Sequence, residues 1–271
     1  MKTIGIIGCG VVGSAVKEGM SPHFEVLTYD INKKSTCKSI YDLTRKVDGP
    51  IFICVPTSMN EDGSCDTSIV ENVVSEINDA ARYLYDNPIV VIKSTVIPGT
   101  TQALADDYYY LDICFNPEFL TERAAARDFI EQDRIIITGN QNACSVTANC
   151  YFKSFPDVPQ YRSNNSAEGE FVKYFTNIHL AVKVSLANEL KQICNAVGVD
   201  YETILGMALK DDRLGNTHWD VPGPDGKLGF GGTCFPKDLN ALMYKARELE
   251  IDVPVMEGAW AKNLEVRGND K

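Results

Sequence analysis

The chain has 271 residues, 44% of them hydrophobic, enough to bury a sizeable core in one or two domains. A formal net charge of -11 disfavours a phosphate backbone, so nucleic acid is not expected as a partner. No run of about 18 apolar residues occurs, and the opening "MKTIGIIGCGVVG" enters a strand and a glycine turn rather than a charged leader, so a soluble, unprocessed, cytoplasmic protein with no membrane partner is expected.

In chain order, "TIGIIG", "EVLTYD", "PIFICVP", "IVVIKST", "LDICFN" and "RIIITG" are six candidate strands, each closed by a turn former and most followed by helical spacing. That alternation predicts an α/β fold with a doubly wound, mostly parallel sheet. From about residue 160 the pattern changes. "SAEGEFVKYFTNIHLAVKVSLANELKQICNAVG" predicts one long helix opening at Ser166, expected to bridge two domains. A shorter helix in "DYETILGMALK", a Gly- and Pro-rich loop from Leu214 to Gly232 and a helix in "PKDLNALMYKARELE" follow. Domains over 1–163 and 164–271 are expected, the second small and all-α. The nine cysteines form no CxxC pair and the three histidines are scattered, so reduced thiols and no metal site are expected.

Gly8, Gly10 and Gly13 in "GCGVVG" have the GxGxxG spacing directly after the first strand, where glycines permit a tight turn and the approach of a pyrophosphate to a helix N-terminus. A packing turn would also use glycines, but Asp30 closes the second strand about 20 residues on, where a carboxylate accepts ribose hydroxyls and favours NAD over NADP. Glu118 and Glu122 are four apart. A helix beginning near Phe119 would bring both carboxylates to its start, whereas a solvated helix entry would leave them without a role. Lys173 and Asn177, also four apart, share a face of the long helix, although a helical lysine is usually solvated. In "GFGGTCFPKD", Pro236 is expected as the first helical residue, which would put Cys234 just outside a helix N-terminus beside Lys237. Both features lower a thiol pKa. The alternative, a small buried hydrophobe, leaves the glycines and charges around Cys234 unexplained.

The sequence resembles the nucleotide-sugar dehydrogenases that make uronic acids. "GIIGCGVVG", "IFICVPTSMNEDGSCDTSIV", "IKSTVIPGTT", "NPEFLTERAAARDF", "AEGEFVKYFTN", "DDRLG" and "GFGGTCFPKD" occur in the family order and cover almost the whole chain. The resemblance implies a Rossmann-type NAD-binding domain and a helical central domain carrying dimerisation and the catalytic cysteine. It implies oxidation of the C6 alcohol of a nucleotide sugar, UDP-glucose the expected one, to a carboxylate, with two NAD reduced in succession. On this resemblance Cys234 is the nucleophile that forms a thiohemiacetal and then a thioester. Asp238 and Thr95 hold the water used in proton transfer, Lys173 and Asn177 stabilise charge on the sugar oxygen, and Glu122 is the general base of thioester hydrolysis. The cofactor set is Gly8, Gly10, Val11, Val12, Gly13, Asp30, Val55, Pro56, Thr57, Ser94 and Thr95. The substrate set is Glu118, Phe119, Leu120, Lys173, Asn177, Arg213, Phe230 and Gly231, with Arg213 offered across a homodimer.

Two departures from the family pattern stand out. The loop "NTHWDVPGPDGKL" is unlike the family's usual lead-in to the cysteine, and the sequence stops where the family continues into a second α/β domain, so a minimal form is expected. Two other functions remain open on the residues: a two-electron β-hydroxyacid dehydrogenase, which needs no nucleophilic cysteine, and an NAD-binding protein or partner subunit without turnover.

Overall fold

The computed structural model describes residues 2–268. They group into two compact units, one comprising residues 2–58 with 66–173, the other 59–65 with 174–268.

The first unit opens with β1 (Thr3–Ile7), α1 (Val11–Met20), β2 (Glu25–Tyr29), α2 (Ile40–Thr44) and β3 (Ile51–Ile53). A short ribbon of β4 (Ser58–Met59) and β5 (Cys65–Asp66) follows, its residues 59–65 belonging to the second unit, then in the first unit α3 (Ser68–Ala81), β6 (Ile89–Ile92), α4 (Thr100–Asp107) and β7 (Asp112–Phe115). After a 3-10 turn at Glu122–Ala124 come α5 (Ala125–Ile130), β8 (Ile135–Gly139), α6 (Gln141–Ser154) and β9 (Gln160–Ser163). The seven-stranded sheet has the order β2-β1-β3-β6-β7-β8-β9, parallel except where β7 meets β8. All six expected strands are present. β9 carries no apolar run because it lies at the sheet edge with two exposed residues, so burial imposes little pattern on it.

Alternation along each strand builds two cores. Ile4, Ile6, Phe52, Val91, Cys114, Ile135 and Ile137 pack on α1, α5 and α6 residues such as Val16, Phe129 and Tyr151. Ile7, Ile51, Ile53, Val90, Ile92, Ile113 and Phe115 pack on Leu43, Val70, Val74 and Leu104. Since β2 lies on one side of β1 and β3 on the other, chain direction reverses at β1. In open sheets that switch point forms a crevice at the carboxyl ends of the strands.

α7 (Ser166–Val197) is a single 32-residue helix that begins at Ser166, as expected. In the first unit it lies against β8 and α4. Thr138 Oγ1 donates to Ser166 O at 3.2 Å, and the Glu170 carboxylate accepts from Gly99 N at 2.6 Å and Thr101 N at 2.8 Å, capping α4.

The second unit contains the rest of α7, α8 (Tyr201–Ala208), α9 (Cys234–Glu248) and α10 (Pro254–Arg267). One core gathers Ala181, Phe230, Leu239 and Met243 around Trp260 and Phe235, another Ala187, Cys194, Tyr201 and Val221. Two helix starts differ from expectation. α9 begins at Cys234, two residues before Pro236, because the first-turn N–H groups have no intrahelical partner and a proline there loses no hydrogen bond. No helix begins near Phe119. Residues 117–121 are irregular, and regular helix starts only at Ala125 after the 3-10 turn. Among the described residues, no helix is long and apolar enough to cross a membrane.

Candidate active site

In the first unit the glycine turn lies at the switch point. Gly8 has φ +91°, and a Cβ there would sit 2.7 Å from Cys54 O at the end of β3. A Cβ on Gly13 would collide with Gly8 O, so α1 reaches the turn only because that position is glycine. A Cβ on Gly10 would meet nothing within 4 Å, leaving an open cradle ahead of the free N–H groups of the ten-residue α1, which begins with Val11 and Val12. Asp30 follows β2. Its Oδ2 accepts from Cys9 N at 2.7 Å and its Oδ1 from Asn32 N at 2.8 Å and Lys33 N at 3.0 Å. Desolvation works against its charge, but those backbone donors and the Lys33 ammonium hold the carboxyl below its ordinary range. The residues at the ends of β3 and β6 are tied together: Ser94 Oγ donates to Val55 O at 2.6 Å and Thr57 Oγ1 to Thr95 O at 2.8 Å, with Pro56 exposed between them. An open cradle at a helix N-terminus, a fixed carboxylate after the second strand and two linked strand ends fit an NAD molecule.

The loop after β7 carries the other polar group of this unit. Lys173 Nζ donates to Glu118 O at 2.6 Å and to Glu118 Oε1 at 2.9 Å, while Glu118 Oε2 accepts from Leu120 N at 2.6 Å. The two side chains are only 5% and 11% exposed, which rules out a solvated lysine. Burial raises the Glu118 pKa, but the charge and hydrogen bond of Lys173 more than offset it, and the carboxyl lies below its usual value. The Phe119 ring sits 4.1 Å from the Arg134 guanidinium carbon and 5.5 Å from Lys173 Nζ. Glu122 is exposed on the 3-10 turn, so the two glutamates differ sharply in setting.

In the second unit Asp238, one turn into α9, is 1% exposed. Its Oδ1 accepts from Lys237 Nζ and its Oδ2 from Asn177 Nδ2, both at 2.6 Å. Burial pushes the Lys237 pKa down, yet the Asp238 charge, with Cys65, Cys234 and the hydrogen bond adding to it, raises the balance. Cys234 heads the same helix and is the one exposed thiol of the nine cysteines. The preceding loop is pinned by two buried asparagines, Gly229 N donating to Asn188 Oδ1 at 3.2 Å and Phe230 N to Asn263 Oδ1 at 2.7 Å. The Phe230 ring belongs to the core, 6.2 Å from Phe235 and 6.1 Å from Trp260, and Gly231 lies against the Arg267 guanidinium. Arg213 stands apart, 89% exposed and paired with Asp211.

Sequence reasoning did not single out Glu170, Asn188, Asn263, Lys93 or Asn116. Each is buried and held by contacts to residues distant in sequence, which the sequence does not disclose.

A doubly wound sheet with a glycine turn and a closing aspartate at its switch point defines a dinucleotide-binding protein. The chain belongs to the UDP-glucose/GDP-mannose dehydrogenase family: residues 36–156 match its NAD binding domain and residues 167–265 its central domain. It is 31% identical over 238 residues to the UDP-glucose 6-dehydrogenase AglM of Haloferax volcanii, covering 79% of this chain and 54% of that protein. With the UDP-glucose 6-dehydrogenase YwqF of Bacillus subtilis it shares 30% over 256 residues, 89% of this chain and 56% of the other. The chain thus spans about half the length of these curated relatives. The structure of a UDP-glucose dehydrogenase from the hyperthermophilic archaeon Pyrobaculum islandicum superposes with a TM-score of 0.88 at 27% identity, over 98% of this chain and 68% of that one.

Proposed function

We propose that the protein oxidises the C6 alcohol of a nucleotide sugar, UDP-glucose in the first instance, to the uronic acid in a four-electron reaction. The observation that carries this is the setting of Cys234: an exposed thiol on the first residue of α9, with a buried Lys237–Asp238–Asn177 network one turn below. A two-electron alcohol dehydrogenase has no use for such a nucleophile.

The Gly8–Gly13 turn, Asp30 and the linked loops at Val55–Thr57 and Ser94–Thr95 would hold NAD, two molecules of which in succession would accept the two hydrides. Lys173, fixed by Glu118, and Asn177, fixed by Asp238, stabilise negative charge on the sugar oxygen. By the family resemblance, Asp238 of the second unit and Thr95 of the first are assigned to the water that relays its proton. Cys234 Sγ adds to the aldehyde carbon, so a tetrahedral carbon bearing hydrogen is formed again and loss of a second hydride yields a thioester. Glu122, exposed to solvent, activates the water that hydrolyses it. Glu118, Phe119, Leu120, Phe230 and Gly231 shape the substrate site. Exhaustive turnover is expected to release two NADH per nucleotide sugar with a carboxylate product. One NADH and a carbonyl product would overturn the assignment.

The active species is proposed to be a homodimer. Along α7 in the second unit, Phe175, Leu186, Leu190, Ile193 and Val197 are each 40% exposed or more, the last four at 4-3-4 spacing along one stripe, and Met207 of α8 is also exposed. A regular apolar stripe on a long helix packs well against a second copy of itself. The exposed Arg213 guanidinium, paired within its own chain with Asp211, is then offered to the neighbouring site. Sedimentation equilibrium is expected to give twice the chain mass, and Leu190→Glu to give monomers with lowered activity. A fully active monomer at all concentrations excludes this.

A further inference from the structure

Lys93, the residue before Ser94 and Thr95, is 2% exposed and lies among apolar and aromatic side chains. Among the described residues its ammonium donates only to neutral acceptors: Asn116 Oδ1 at 2.8 Å, Asn116 O at 3.3 Å and the Tyr151 hydroxyl at 3.3 Å. The rings of Phe129 and Tyr151 lie 5.7 and 6.0 Å from it. A buried ammonium without a hydrogen-bonded carboxylate is destabilising, and a methionine of similar length would fill the space at lower cost. The charge must therefore serve something other than stability.

Asn116 is held from all sides. Its Oδ1 takes both Lys93 and Tyr151 Oη, the latter at 2.6 Å, its Nδ2 donates to Ile136 O at 2.7 Å, and its backbone N donates to Ile92 O at 2.9 Å. Pro117 and Glu118 follow directly. Lys93 also acts on the Glu118 carboxyl through space, adding to the pull of Lys173 that keeps it below its usual range.

We propose that Lys93 is a positioning residue for the oxidation: through Asn116 it fixes the loop bearing Glu118, and its charge adds to that of Lys173 in favouring the Glu118 carboxylate. The turnover part rests on the function proposed above; the Glu118 part does not.

The groups facing Lys93 are Cys54, Cys114, Tyr151, Glu118 and Lys173. Burial lowers the Lys93 pKa to about 8, while it pushes Cys54 up to about 12 and Cys114 and Tyr151 well above their ordinary values. Of these, only Lys93 is displaced into the mildly alkaline range. Because its folded pKa is depressed below the unfolded 10.5, the folded state binds fewer protons between the two values, and stability rises with pH there. Turnover, which needs the charged form, falls through the same window. A residue with a purely structural role would move both in the same direction.

The test uses the full chain labelled with 13C-glutamate, the Glu118 carboxyl signal being assigned by its loss in Glu118→Gln. In the wild type that signal is expected to carry a second inflection near pH 8. In Lys93→Met the inflection disappears and the Glu118 midpoint moves up, while Tm at pH 7 is no lower than wild type. Turnover of UDP-glucose at pH 7 falls at least ten-fold, and the alkaline limb of the pH profile is lost. Absence of the inflection in the wild type, or wild-type Glu118 titration and turnover in Lys93→Met, overturns the proposal. If the wild type turns over no nucleotide sugar, the proposed function fails, and the Glu118 titration alone decides the role of Lys93. If Lys93→Met does not fold, the wild-type inflection still decides it.

Discussion

Cys234→Ala is expected to abolish uronate formation, lowering kcat for acid production by at least about 10³-fold. A free aldehyde has surrendered one hydride and does not yield the second until a nucleophile has added to its carbonyl carbon, so the variant is left with a first oxidation that cannot proceed to acid. Cys234 is exposed, so truncation to alanine opens no core cavity, and the thermal transition should stay within about 0.5 kcal/mol of wild type. Loss of activity with unchanged stability is then a chemical effect. Iodoacetamide offers a parallel measurement. Six of the other thiols are buried and two half-buried, so Cys234 should be modified first and activity lost in step. Acid formation by Cys234→Ala, or uniform labelling with activity retained, would remove the covalent step from the mechanism.

The parts of this site differ in how far the sequence disclosed them, for physical reasons. Strands such as Ile51–Ile53 and Ile89–Ile92 are buried on both faces, so burial writes them as unbroken apolar runs. The glycine turn was legible because backbone geometry at Gly8 and Gly13 admits no other residue. Glu118 and Glu122 show the limit. Their spacing of four suggested a shared helix start, but the chain stays irregular to Thr121, and Glu118 finds its partner in Lys173, 55 residues away. Sequence separation carries no information about such a pair. Lys93 was hidden in "IVVIKST", where it reads as the polar end of a strand, and only the three acceptors around its ammonium reveal a buried charge. Pro236 was informative about the existence of α9 but not its first residue, since a first-turn proline is compatible with several starts.

Asp238→Asn tests the network beneath Cys234, and its effect on stability should exceed that of any exposed substitution. The wild-type carboxylate accepts from two donors at once, Lys237 Nζ and Asn177 Nδ2, and all three side chains are buried or nearly so. An asparagine can turn its oxygen to only one of them, which sets its amide nitrogen against the other donor. The lysine, 11% exposed, also loses its counter-charge. Removing one partner of such a pair destabilises by about 3–5 kcal/mol, or about 5–10 °C in Tm at pH 7. Turnover should fall about 10²–10⁴-fold, the usual range for a group in the proton-transfer path. The pH dependence supplies the sign. In the wild type the folded Lys237 pKa is raised above 10.5, so its stabilisation is fully present below that value and is lost as pH rises through the folded pKa. In Asp238→Asn the Asp238 charge and hydrogen bond are gone while desolvation, the largest influence on this lysine, remains, so its folded pKa drops below the unfolded one. The variant should then gain stability as pH rises toward 10.5, and the gap between the two melting curves should narrow between pH 8 and 10. A gap that is constant over that range would mean that Lys237 does not depend on Asp238 for its charge, and the network would have to be redrawn around another acceptor.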